Sequence, residues 1–168
     1  MPLHYVDPNT QRGPLHWAGE RFGRSPVGQF VARHISPRID PWLYRITRGH
    51  LRVGIATAPL VTTGAKSGER REVQLTYFHD GADPVVVASN YGRRTHPQWY
   101  HNLVANPQCR FGDEAFTAAE VSDPQEYARL FRLAERVYSG YRDYRTDTAQ
   151  IRRIPIFRLA PAARAAAR

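Results

Sequence analysis

The chain of 168 residues reads as a mainly β, α+β protein: a small antiparallel barrel or roll of about six strands with flanking helices. Three observations predict it. Short runs rich in Val, Thr, Tyr, Phe and Ile recur at 59–63, 72–78, 84–89, 108–111, 116–121 and 154–159. Turn signals separate neighbouring runs, Asp80-Gly81 between the second and third and Gly112-Asp113-Glu114 between the fourth and fifth. The strand–helix alternation that builds a parallel sheet is missing.

Residues 1–40 read as an N-terminal arm, partly flexible or a short helix. Its first 25 residues mix Pro, Gly, Arg and His without a period, as a loose or wrapping segment does. Further on, Phe30, Val31, Ile35, Trp42, Leu43, Ile46 and Leu51 recur among Arg33, Arg38, Arg45, Arg48 and Arg52. That pattern fits a short helix packing on the body, cut by Pro37 and Pro41. A basic, Trp-bearing stretch also suits the surface of an anionic bilayer, so peripheral membrane contact is the alternative.

The barrel is expected to span 41–159. The segment 96–107 reads as a short helix, with Pro97 in its first turn and Asn106-Pro107 ending it. Asp123-Pro124-Gln125-Glu126 is a capping box with proline at the first helical position. Behind it Tyr127, Leu130, Phe131, Ala134, Val137 and Tyr138 keep helical spacing, and Gly140 closes the helix. A second helical piece follows at 141–150, and Pro155 gives the last strand an edge or bulge. The Ala/Arg-rich residues 160–168 read as a disordered tail.

A net charge of +9 and a pI near 10.3 imply an acidic partner: a polyanionic small molecule, an anionic membrane surface or nucleic acid. Nucleic acid is disfavoured, because the basic residues are dispersed and no recognised DNA or RNA motif is present. The single cysteine, Cys109, excludes an internal disulfide and a Cys-based zinc cluster, and reads as a buried apolar side chain in a reducing cytoplasm. No apolar leader lies in residues 1–30 and no stretch approaches a membrane span. Nicotinamide, serine-hydrolase and zinc-protease signatures are absent, and no metal site is expected.

One local feature carries chemistry. Lys66 is the only lysine among 24 basic residues, and it sits in Gly64-Ala65-Lys66-Ser67-Gly68-Glu69-Arg70-Arg71. Consecutive N–H groups in a Gly-rich turn can point into one concavity, with Lys66, Arg70 and Arg71 around it to receive a phosphate or carboxylate. It is not a Walker loop, since Lys66 precedes the second glycine. Taken alone, its composition equally fits a solvated hairpin loop.

Three blocks carry a wider likeness: Leu60-Val61-Thr62-Thr63-Gly64-Ala65-Lys66-Ser67-Gly68-Glu69-Arg70-Arg71, then Val85-Val86-Val87-Ala88-Ser89-Asn90-Tyr91-Gly92, then His96-Pro97-Gln98-Trp99-Tyr100-His101-Asn102-Leu103-Val104-Ala105-Asn106-Pro107. In this order they resemble the deazaflavin-dependent nitroreductase family, from about Pro41 through Leu159. The resemblance implies a split β-barrel that binds coenzyme F420 and passes its hydride to an electron-poor acceptor such as a quinone or nitro compound. It implies that Lys66, Ser67, Gly68 and Arg71 meet the acidic tail of the coenzyme. Val87, Ala88, Ser89, Asn90, Tyr91 and Gly92 would border its ring, with Trp99 and Asn102 walling the same pocket. Tyr138, Tyr141 and Tyr144 would face the acceptor. No catalytic side chain is required, because the coenzyme supplies the hydride. The chain departs from the family at Ala65, where arginine is common; Arg93 and Arg94 are secondary candidates for charge at the pocket mouth.

His96 and His101 lie near this pocket, where an imidazole can return a proton after hydride transfer, although a loop role for His96 fits as well. His79, beside Asp80, reads as a turn residue. Two further readings stay open: a flavin mononucleotide enzyme on a related barrel, and a non-catalytic carrier of the deazaflavin. Oligomeric state is not legible.

Overall fold

The computed structural model describes residues 3–10 and 56–162. Six strands, β1 (Thr57–Thr63), β2 (Arg70–Asp80), β3 (Asp83–Val87), β4 (Gln108–Phe111), β5 (Glu114–Glu120) and β6 (Ile156–Pro161), close into a barrel in the order β1-β2-β3-β6-β5-β4. Every neighbouring pair is antiparallel. Among the described residues three helices flank it: α1 (Gln98–Ala105), α2 (Pro124–Val137) and α3 (Gly140–Thr148). The barrel expected from the short alternating runs is therefore present.

Side-chain alternation explains how one barrel wall serves two cores. In β3, Val86 packs in the barrel cluster with Leu60, Tyr77, Phe111, Phe116, Phe157 and Leu159. Val85 and Val87 point the other way, into a second cluster with Phe78 and Ile156. There they meet Leu130, Phe131, Ala134 and Val137 from the apolar stripe of α2, and Tyr141 of α3. Each fully buried Leu, Val or Phe stabilises the fold by roughly 1.5–3 kcal/mol. The hairpins β2–β3 and β4–β5 turn in two residues, Asp80 opposing Asp83 and Phe111 opposing Glu114. Gly81 and Gly112 open these turns at φ of +63° and +61°, angles costly for a side chain.

An ionic network ties α2 to this scaffold. Arg129 holds Asp80 through two bonds of 2.7 Å, and Arg158 of β6 reaches Asp80 and Glu126 at 2.6 Å each. The carboxyl of Asp80 is held at about 2, chiefly by the Arg129 hydrogen bonds, with burial opposing and Arg158 adding to the depression.

Several boundaries differ from the sequence reading. Asp123 caps α2 by accepting from the Glu126 N–H at 2.7 Å, but the Glu126 carboxylate accepts from Arg158, so only half of the predicted box is made. Gly140 begins α3 rather than ending α2; a Cβ there would lie 2.4 Å from the Tyr138 ring, which occupies that space. β6 starts after Pro155 and runs to Pro161, with Ala160 opposite Thr117. β3 ends at Val87, two residues early, because the chain leaves the sheet there.

His79 is no turn residue. It lies buried in β2, where its Nδ1 accepts from the Val6 N–H at 3.0 Å and its own N–H donates to the Val6 carbonyl at 2.8 Å. Residues 3–10 thus run along the barrel, with Tyr5 stacked on His79 and the His4 carbonyl bonded by the Tyr77 hydroxyl. The predicted helical or membrane-contacting stretch between Phe30 and Leu51 lies outside the described residues, as does the tail from 163. Among the described residues no helix is long and apolar enough to cross a membrane, and no group of three or more His, Cys, Asp or Glu could hold a metal.

Candidate functional site

Lys66 sits at the tip of the six-residue loop joining β1 to β2, where Thr63 opposes Arg70. The loop is compact: the Gly64 N–H donates to the Glu69 carbonyl at 2.8 Å and the Gly68 N–H to the Gly64 carbonyl at 2.9 Å. A Cβ at Gly64 would come within 2.6 Å of Ser67 Oγ. Lys66, Ser67, Gly68, Arg70 and Arg71 are all exposed. Arg71 donates to Glu69 at 2.6 Å and Arg70 lies 3.6 Å from Glu72. Among the described residues Lys66 is in no ion pair, which leaves its charge open to an incoming anion.

A buried amide fixes this loop from below. Asn102 of α1 accepts from the Ala65 N–H and donates to Thr62 Oγ1, both at 3.0 Å. Trp99, one turn earlier on the same helix face, enters the barrel cluster and lies 6.0 Å from the Phe157 ring. Both residues are buried, at 7% and 6% exposure.

The predicted ring border, residues 87–92, has an unusual backbone. Val87 and Ala88 are buried in opposite cores, and Ser89 follows half-buried. Asn90, Tyr91 and Gly92 then take φ of 50°, 55° and 71°, three left-handed residues in succession. For Asn90 and Tyr91 this conformation costs roughly 1–2 kcal/mol each. Short bonds inside the turn offset part of it: Gly92 N–H to the Ser89 carbonyl and Arg93 N–H to the Asn90 carbonyl, both 3.1 Å, and Asn90 Nδ2 to the Thr95 carbonyl at 2.8 Å. Arg152, in the connection from α3 to β6, donates to Ser89 and Arg93 carbonyls at 2.7 and 3.0 Å. Nothing in the sequence near residue 152 signals this contact.

The three tyrosines come together and against that turn. Tyr138, Tyr141 and Tyr144 have ring centroids 5.4 to 6.4 Å apart, and the hydroxyls of Tyr138 and Tyr144 are 3.2 Å apart. A Cβ at Gly92 would stand 3.1 Å from Tyr144 Cδ1, so glycine lets the turn close on this cluster. Burial raises the Tyr141 and Tyr144 hydroxyls well above the phenol range, so both are neutral donors at physiological pH. Tyr141 is almost fully buried, while Tyr138 and Tyr144 are half-buried. Tyr91 is exposed at 37%.

His96 stacks on Tyr100 at 4.4 Å and stands 6.1 Å from His101. Its Nδ1 lies 3.2 Å from Arg152 Nη1, an arginine N–H that can only donate, so Nδ1 is the acceptor. Desolvation first, then Arg152 and His101, lowers its pKa. Cys109 is buried in β4, and burial pushes its thiol to about 12, which fits an inert core residue. Arg93 and Arg94 are exposed beside the turn.

The geometry thus supplies an exposed cationic loop tethered to α1 and a fixed left-handed turn that precedes α1, with tyrosine rings packed against the turn. Residues 36–161 match the family model described as F420H(2)-dependent quinone reductase. Proteins of Mycobacterium tuberculosis strains CDC 1551 / Oshkosh and ATCC 25618 / H37Rv, both named F420H(2)-dependent quinone reductase, are 37% identical over 144 residues, covering 77% of this chain and 95% of each relative. A solved F420-H2 dependent reductase, FDR-A, is similar at 36% identity and a TM-score of 0.53, over 61% of this chain and 92% of its own. A second solved chain, described as a domain-swapped dimer, is similar at 32% identity and a TM-score of 0.55, over 71% and 94%.

Proposed function

Since the chain belongs to the F420H(2)-dependent quinone reductase family, we propose that it carries the two-electron reduction of a quinone at the site formed by the Lys66 loop, the 88–93 turn and the tyrosine cluster. It is an oxidoreductase whose coenzyme is F420. When bound, the reduced coenzyme supplies a hydride, and a proton completes the conversion to a hydroquinone.

The residues fit such a group. A flat ring with a phosphate- and glutamate-bearing tail needs cations at one end and a shaped, water-poor border at the other. Lys66 would hold the tail, with Arg71 exchanging its exposed Glu69 partner, a pair worth at most about 1 kcal/mol, for a polyanion. Ser67 Oγ and the Gly68 backbone lie in the same exposed loop. Ser89, Asn90, Tyr91 and Gly92 would border the ring through their backbone, with Val87 and Ala88 anchoring the turn in the two cores. Trp99 and Asn102 would act from beneath. Tyr138, Tyr141 and Tyr144 would orient the acceptor through their hydroxyls, and His96 Nε2 carries a proton beside the turn.

The observation that carries this reading is the tether from Asn102 to the Lys66 loop: the helix that begins just after the 88–93 turn also pins the cationic loop. Cytoplasmic location and peripheral membrane contact through the basic stretch from Phe30 to Leu51 belong to the proposal, supported by its arginines and Trp42. Titration with F420 and with flavin mononucleotide, followed by turnover of reduced F420 with a menaquinone analogue, tests it. Tight F420 binding and quinone-dependent reoxidation are expected; flavin binding in its place, or F420 binding without turnover, overturns the assignment. Lys66→Ala should weaken F420 binding while changing stability by less than about 0.5 kcal/mol, as an exposed charge does.

A further inference from the structure

We propose that Arg152 is a positioning residue: its guanidinium clasps the left-handed turn at 88–93 and sets the angle at which that turn meets the tyrosine cluster. The inference rests on the reading that this turn borders the coenzyme ring. Arg152 donates through Nε to the Arg93 carbonyl at 3.0 Å and through Nη2 to the Ser89 carbonyl at 2.7 Å. Its Nη1 reaches the Ala88 carbonyl at 3.4 Å and His96 Nδ1 at 3.2 Å. The fork therefore spans the turn from the residue entering it to the residue leaving it.

This use of an arginine is unusual in its partners. Among the described residues its guanidinium bonds to backbone carbonyls and one imidazole, partners that fix its orientation by hydrogen-bond geometry. A lysine has the charge but cannot reach carbonyls on both sides of a turn in one plane. The turn needs such a clasp because Asn90 and Tyr91 are held where side chains are disfavoured.

Arg152 is itself fixed to the helix bearing the tyrosines. Its N–H donates to the Thr148 carbonyl at the end of α3 at 2.9 Å, and Thr148 Oγ1 in turn donates to the Tyr144 carbonyl at 2.8 Å. Tyr144 packs against Gly92. The turn is therefore gripped by two residues of one short segment, and ring border and acceptor face are held as a unit.

The test compares the full chain with Arg152→Lys and Arg152→Gln by thermal unfolding, F420 titration, steady-state reduction of a menaquinone analogue and ¹⁵N shifts of the His96 ring. In the wild type, His96 Nδ1 is expected as the unprotonated nitrogen, and its shift should move in both variants. F420 affinity should fall at least about tenfold, and kcat likewise, with the quinone KM changed less than about twofold. Unchanged affinity and kcat in a folded Arg152→Lys protein overturn the proposal, even if its Tm drops. A wild-type His96 protonated on Nδ1 overturns it without any variant, which covers the case of variants that do not fold. Failure of the wild type to bind F420 is a different result: it removes the coenzyme reading and this inference with it.

Discussion

The 64–69 loop and the 88–93 turn, the two regions proposed to meet the coenzyme, are built on opposite plans. The first is exposed, closes on itself through Gly64–Glu69 and Gly68–Gly64 backbone bonds, and takes one outside tether, from Asn102. The second leaves two buried cores, runs through three left-handed residues, and is held by Arg152 and Tyr144 from a distant part of the chain. A loop that captures a flexible anionic tail must present charge, so its own residues carry the function. A turn that borders a rigid ring must keep a shape, and the residues that keep it lie elsewhere.

The most disruptive way to break this contrast is to remove what the two regions share. Trp99 and Asn102 occupy one buried face of α1, which follows the turn and underlies the loop. Trp99→Ala empties a large volume beside Phe157 and should cost about 3–5 kcal/mol of stability. Denaturant unfolding measures that loss, and F420 titration of the folded fraction should show ring and tail binding weakened together. A stability loss with intact affinity would mean that the two regions do not depend on α1.

How far the sequence disclosed this architecture follows the same division. Six strands were readable because short runs rich in Val, Thr, Tyr and Phe, such as Glu72–Phe78, are separated by turn signals such as Asp80-Gly81, and local composition needs no tertiary knowledge. The Lys66 loop was readable as cationic for the same reason: composition alone marks it. What escaped depended on partners far along the chain. His79 looks like part of a His-Asp-Gly turn, but β2 runs past it in register with β3, and Val6, 73 residues away, bonds to its ring. Gly140 looks like a helix stop, but the Tyr138 ring fills the space where its Cβ would be. Arg152 contacts the turn across 59 to 64 residues, a separation with no local signature. The resemblance supplied the site residues as a set; it carried no sign that Trp99 and Asn102 are buried while Lys66 and Arg71 are exposed.

A smaller lesion should separate the two plans. Asn102→Ala leaves the buried Thr62 hydroxyl and the Ala65 N–H without their partner, a loss of about 1–3 kcal/mol. Because the tether acts on the cationic loop and not on the turn, F420 affinity should fall and its dependence on salt should flatten, while the bound-coenzyme spectrum stays unchanged. A shifted spectrum with unaltered salt dependence would assign Asn102 to the ring instead.

The mildest perturbation is pH, and it should act on the turn alone. Desolvation, and then the charges of Arg152 and His101, depress the His96 pKa below 6.5, so the folded protein keeps this imidazole neutral with Nδ1 accepting from Arg152. For a depressed pKa the contribution is present above 6.5 and is lost as pH falls through the folded value, where a protonated ring would face the guanidinium. The loop at 64–69 contains no histidine. F420 affinity should therefore decline modestly from pH 6.5 downward in the wild type and stay flat in His96→Gln, whose amide can accept from Arg152 without titrating. An equal decline in both proteins would trace the pH dependence to the coenzyme and not to the turn.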